Sequence, residues 1–161
     1  MFRAAVGTTM AAVERIVVGV DGSPESKAAL AWAGHEARLR GDRVVAVSVC
    51  TPRVVAPVPW GIPVAIPAAA EVEEEARAAL AANVEEVLGP DPDGKVEQRV
   101  VRGPAAEALV DLACDAKLLV VGSRGHGRIA GTLLGSVSRE CAQRSPCPVV
   151  IVRPSIRRAA A

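Results

Sequence analysis

The sequence predicts an α/β fold, a doubly wound five-stranded parallel sheet in the order 3-2-1-4-5. Three observations carry that prediction. Apolar runs such as Ile16-Val17-Val18 and Leu118-Leu119-Val120-Val121 show no polar alternation, as strands buried on both faces require. Stretches of helical periodicity separate the runs, so each strand returns to the sheet by a right-handed crossover. Turn residues stand at the switches: Asp21-Gly22-Ser23-Pro24, Gly41, Gly89-Pro90, Gly103-Pro104 and Gly122.

In chain order, Arg15 to Val20 reads as the first strand. Ser23 is placed as an N-cap and Pro24 suits the first helical position. The helix then runs to about Arg40, with Ala28, Leu30, Ala31, Ala37 and Leu39 expected to supply its apolar surface, and stops at Gly41. Arg43 to Val49 is the second strand. Between Thr51 and Pro67 five prolines exclude regular structure, which leaves a surface excursion or a lid around Trp60. Ala68 to Leu88 is helical by the spacing of Val72, Ala76, Ala79, Leu80, Val84 and Val87. Its acidic start, Glu71 and Glu73 to Glu75, suits the helix dipole and reads as a solvated face rather than a metal site. Lys95 to Val101 alternates at first, as near a sheet edge. A helix to about Cys114, a strand Lys117 to Gly122, a helix to about Arg144 and a strand Cys147 to Val152 complete the pattern.

The chain has 161 residues, half of them apolar, enough for one α/β domain. Aromatics make up only 2%, so Val, Leu, Ile and Ala must fill the core. A net charge of +1 gives no global field for a nucleic-acid partner. No apolar run approaches the roughly 20 residues of a membrane span. Residues 1–13 lack the continuous apolar core of a secretory signal and read as a flexible extension. Residues 14–153 form a single domain, and 154–161 a flexible basic tail. Cys50, Cys114, Cys141 and Cys147 show no metal-ligand spacing and read as reduced thiols of a cytoplasmic protein. His35 and His126 are too few and too distant for zinc, so no metal site is expected; His35 reads as part of a solvated helix.

The chemistry concentrates between Leu118 and Ser138. An apolar strand stops at Gly122, and a glycine- and arginine-rich stretch leads to Gly135-Ser136, where helical periodicity resumes with Leu133, Leu134, Val137 and Cys141. The frame Gly122, Gly125, Gly135-Ser136 reads as a phosphate cradle between a strand end and a helix N-terminus. Glycines let backbone N–H groups approach an anion, and the helix start adds unpaired donors and a positive dipole end. Gly135 costs about 1 kcal/mol relative to alanine in a first helical turn, a cost that a bound phosphate explains.

The predicted strand order puts strands 1 and 4 side by side at the switch point, where such sheets bind ligands. Asp21 ends the first and Gly122 the second, so both motifs face one crevice. Asp21 has two readings of equal weight, a ribose ligand and an Asx-turn residue ahead of Ser23, and they can coexist. Arg124, His126 and Arg128 are either phosphate contacts or solvated loop residues.

The frame Gly122, Gly125, Gly135, Ser136, Val137, together with Arg15-Ile-Val-Val-Gly-Val-Asp21-Gly-Ser23, resembles the ATP-binding branch of the universal stress protein family. The resemblance covers Arg15 to Arg153. It implies a flavodoxin-like, adenine nucleotide-binding sheet. It also implies a regulatory role in stress response in which occupancy by ATP, or another adenine nucleotide, is the signal. By the same resemblance Val49 offers backbone groups to adenine, Gly19 and Val20 form the adjoining wall, and Val121, Gly122 and Gly125 flank ribose and phosphates. Gly135, Ser136 and Val137 hold phosphates through main-chain N–H groups, and magnesium is held through the phosphates. A homodimer through the fifth strand, 147–152, is also expected: that edge is apolar and uncharged until Arg153.

Rival nucleotide motifs are absent. There is no GxxxxGK[ST], and Gly125-His-Gly127 follows the fourth strand without the acidic partner about 20 residues on. A response regulator would place an aspartate after strand 3 and a lysine after strand 5, where Val101-Arg102-Gly103 and Arg153-Pro154 stand. The enzymatic alternative, a slow ATPase or phosphotransferase on the same site, requires a positioned base. The residues supply a cradle without one, so no catalytic residue is assigned.

Overall fold

The computed structural model describes residues 14–50, 69–91, 94–125 and 134–154. The expectations for 1–13, 51–67, His126, Arg128 and residues 155–161 of the tail lie outside the described residues. The elements run β1 (Arg15–Gly19), α1 (Pro24–Arg40), β2 (Arg43–Cys50), α2 (Ala69–Leu88), β3 (Val96–Arg102), α3 (Ala105–Leu112), β4 (Leu118–Gly122), α4 (Ser136–Arg144) and β5 (Val149–Val152), with a 3-10 turn Ala113–Asp115 after α3. All strand pairs are parallel, in the order β3-β2-β1-β4-β5.

Period-two alternation splits the central strands between two cores. Ile16 and Val18 of β1, with Val44, Ala46 and Val120, face Ala29, Leu30 and Ala33 of α1 and Leu80 and Val84 of α2. Val17, Val45, Val47, Leu119 and Val121 face Leu109 and Val110 of α3 and Cys141 of α4. A fully buried leucine such as Leu30 contributes about 1.5–3 kcal/mol by leaving water.

Local signals explain the ends of α1. Ser23, with φ −68° and ψ 155°, accepts the Ser26 N–H at 3.2 Å, Pro24 follows, and Gly41 closes the helix in the left-handed region at φ 76°. Its buried face differs from the sequence expectation. Ala29, Ala33 and Gly34 join Leu30 and Ala37, whereas Ala31 and Leu39 are exposed, Leu39 at 70%. A helix packed on two strands buries one narrow stripe, and Ala31 and Leu39 lie off it. In α2 the buried residues are Leu80 and Val84, and Val72 and Ala79 point to solvent. His35 is exposed, as expected.

The fifth strand is shorter than the predicted 147–152. Pro146 and Pro148 cannot donate to a ladder, so regular pairing begins at Val149. Likewise α4 starts at Ser136, and Leu134 precedes it. At the far end of the sheet Asp42, 4% exposed, accepts from the Glu14 N–H at 3.3 Å and from Lys117 Nζ at 3.4 Å, which fixes the starts of β1 and β4. The sequence did not reveal that buried carboxylate.

Candidate functional site

The chain leaves β1 toward β2 and leaves β4 toward β5, so the two strand ends part at the switch point. A cavity of about 250 Å³ opens there. Of the site residues singled out by sequence, the eleven that fall within the described residues all line it. Gly19, Val20 and Asp21 come from the end of β1, Val49 from β2, Val121, Gly122, Arg124 and Gly125 from the end of β4, and Gly135, Ser136 and Val137 from the start of α4.

Five further lining residues escaped the sequence reading: Ser26, Val47, Ala105, Leu109 and Ser138. Val47 was legible in principle, because it shares the face of Val49 two positions on. Leu109 was not, since only the packing of α3 brings it to Gly19, where an added Cβ would lie 3.0 Å from Leu109 Cδ1.

Asp21 forms the Asx turn that was one of its two readings. Its Oδ1 accepts the Ser23 N–H at 2.9 Å and the Ser23 hydroxyl at 2.5 Å. Its Oδ2 lies across the crevice, 2.5 Å from where a Cβ on Gly125 would stand. The carboxylate thus remains exposed at the cavity mouth while its turn is made.

The glycines of the frame answer to different causes. A Cβ on Gly122 would fall 2.8 Å from the Glu25 carbonyl carbon and 2.9 Å from its oxygen. The first turn of α1 therefore demands this glycine by close packing, a cause the sequence reading did not contain. Gly135 is the opposite case. At φ −69° and ψ 165° its backbone suits any residue, and the nearest neighbour of an added Cβ is Arg124 Cα at 3.4 Å. Neither conformation nor protein packing requires glycine there, and because Gly135 is the N-cap rather than a residue of the first turn, the helical cost expected from the sequence does not arise.

The main-chain donors differ from the sequence expectation at one position. The Gly135 N–H is committed to the Ser123 carbonyl at 2.9 Å, so Gly135 provides room rather than a donor. The first turn of α4 leaves the N–H groups of Ser136, Val137 and Ser138 outside the helical ladder. The helix starts at Ala105 of α3 and Ser136 of α4, with Ser26 in the first turn of α1, meet in one cavity, and their dipoles favour negative charge. Arg124 is exposed, and among the described residues its guanidinium has no ion-pair partner.

The inner wall of Val47, Val49, Ala105 and Leu109 is apolar, while the outer end carries donors and a cation. Such a gradient accommodates a flat organic group with an anionic tail. Asp21 is the one carboxylate among the described lining residues, so they include no acid–base pair. No group of three or more His, Cys, Asp or Glu among the described residues could hold a metal. In the core cluster that Cys141 shares with Leu109 and Val121, its thiol is pushed up to about 11, chiefly by burial and secondarily by Glu140. No described helix is long and apolar enough to cross a membrane.

Comparison with known proteins agrees with this architecture. A universal stress protein of Mycolicibacterium smegmatis is 42% identical over 143 residues, covering 86% of this chain and 45% of that protein. Universal stress protein Rv2005c of Mycobacterium tuberculosis is 33% identical over 146 residues, covering 85% and 47%. The chain therefore spans about half the length of these relatives. Among solved structures, a universal stress protein in complex with cAMP is 33% identical with a TM-score of 0.57, covering 89% of this chain and 99% of that one. Protein MJ0577 is 24% identical with a TM-score of 0.68, covering 89% and 97%, which shows the shared fold. With a model of the universal stress protein family matching residues 12–153, the chain belongs to that family.

Proposed function

We propose that this protein binds an adenine nucleotide, ATP or another of that class, and that occupancy serves as a regulatory signal in stress response. The observation that carries the reading is Gly135, a glycine at a helix start that neither backbone nor packing requires, facing a cavity with free helix-start donors. An N-cap tolerates glycine as it tolerates Ser, Thr, Asp or Asn, and a phosphate approaching the backbone would select the one of these without a side chain. The 33% identical relative solved with cAMP supports the adenine nucleotide class.

In this reading adenine lies against Val47, Val49 and Leu109, with Gly19 and Val20 beside it. Asp21 takes the ribose, and Val121, Gly122 and Gly125 flank ribose and phosphates. The N–H groups of Ser136 and Val137, the Ser136 hydroxyl and Arg124 receive the phosphates, and the bare Gly135 lets them approach. With Asp21 as the one described lining carboxylate, a magnesium ion would be held through the phosphates rather than by a protein cage. The same scarcity favours binding over turnover, because phosphoryl transfer needs a positioned base or water-orienting group. A cytoplasmic homodimer paired through β5 completes the proposal.

Calorimetry of ATP binding to wild type and Gly135→Val tests it. Wild type should bind, and the variant should not, because its methyl groups occupy the phosphate approach. Wild-type affinity in Gly135→Val would overturn the cradle, and absence of binding to wild type would overturn the function.

A further inference from the structure

We propose that Ser138 is a positioning residue for the phosphate end of the site, an inference that rests on the nucleotide-binding reading. The residue is 2% exposed, and its hydroxyl donates to the Ser123 carbonyl at 3.0 Å and to the Gly135 carbonyl at 3.2 Å. Ser123 is itself buried, and its N–H bonds the Val152 carbonyl at 2.7 Å. One hydroxyl proton thus ties the first turn of α4 to the end of β4, and through Ser123 to β5. On one side of this tie stands Arg124, and on the other the helix-start donors at Ser136 and Val137. The Gly135 N–H bonds the same Ser123 carbonyl at 2.9 Å, and the hydroxyl adds a second link that fixes the orientation of the first turn of α4, and with it the geometry offered to a phosphate chain. The wall at Gly19, Val47 and Leu109 is built on β1, β2 and α3, and none of these residues takes part in the tie.

Removing the hydroxyl strands no carbonyl. Ser123 still accepts the Gly135 N–H at 2.9 Å, and Gly135 still accepts the Arg139 N–H at 3.1 Å. Ser138→Ala should therefore fold, melt near the wild-type temperature, and lose geometry rather than stability. A residue with only a structural role would shift the melt and leave ligand selectivity alone.

The experiment titrates wild type, Ser138→Ala and Ser138→Thr with ATP and with adenosine by calorimetry, alongside thermal melts. The expected result is ATP binding about tenfold weaker in Ser138→Ala, adenosine within about twofold, and Ser138→Thr within about threefold of wild type for both. Unchanged ATP affinity in Ser138→Ala, equal losses for both ligands, or a threonine variant as weak as alanine would overturn the proposal. If Ser138→Ala shows no cooperative melt, the threonine variant decides: a wild-type ratio of ATP to adenosine affinity supports the role, and a lowered ratio overturns it. Wild type that binds no ATP removes the nucleotide reading and this role together, whereas wild type that binds while the ratios stay equal removes only the role of Ser138.

Discussion

Gly122 and Gly135 occupy one motif, yet a single methyl group should affect them in opposite ways. In Gly122→Ala the new Cβ stands 2.8 Å and 2.9 Å from the Glu25 carbonyl carbon and oxygen and 3.0 Å from its Cβ. Two of those atoms are backbone in the first turn of α1, so relief requires moving the helix. Overpacking of this kind costs about 1–3 kcal/mol. For a chain of this size each kcal/mol lowers the midpoint by about 2–4 °C, so the ligand-free protein should melt about 2–12 °C lower. In Gly135→Ala the methyl meets nothing closer than 3.4 Å, and the backbone angles suit alanine. The poorer N-cap and the lower entropy of the unfolded chain oppose each other at about 1 kcal/mol or less each, which leaves the midpoint within about 2 °C. Thermal circular dichroism without nucleotide measures both. Gly122→Ala as stable as wild type, or Gly135→Ala less stable than Gly122→Ala, would refute the division between a packing glycine and a ligand glycine.

Arg124→Ala should weaken ATP by about tenfold and adenosine little, with the difference shrinking in high salt; equal losses would remove Arg124 from the phosphate contacts. Burial raises the Cys141 thiol from 9.0 to about 11. Between these values the unfolded chain has released its proton and the folded protein has not, so stability should fall as pH rises from 9.0 to about 11. Urea melts across that range check the slope, which Cys141→Ala should flatten. Val150→Lys should dissociate the proposed dimer by setting like charges near its axis, and light scattering would show a monomer; a variant that stays dimeric would place the interface elsewhere.

The sheet order was legible because unbroken apolar strands such as Leu118 to Val121 admit few topologies once crossover handedness is fixed. The eleven lining residues were legible for a related reason: ligands gather at one computable place in such a sheet, and motif residues flank it. The cause of Gly122 was hidden, since sequence does not show which helix turn will press on a strand end 97 positions away. Ser138 was hidden by its chemistry. A serine in a first helical turn is ordinarily a solvated residue, and only folding turns its hydroxyl inward to two carbonyls. The exposed Leu39 and Ala31 show the converse, with apolar residues counted into a face that the packing did not use.

The two rims of the sheet have unlike consequences for crowding. On β3, Glu97 and Arg99 are paired at 2.5 Å, and Arg102 reaches Glu73 of α2 at 2.8 Å. A neighbouring strand arriving there would have to strip water from charges already satisfied. Val149–Val152 on β5 carries no charge. A sheet with one forbidding rim and one permissive rim can be extended by strand pairing at the permissive rim alone. In the proposed pairing through β5 that asymmetry would end growth at a pair and guard a valine-rich sheet against running on into a fibre.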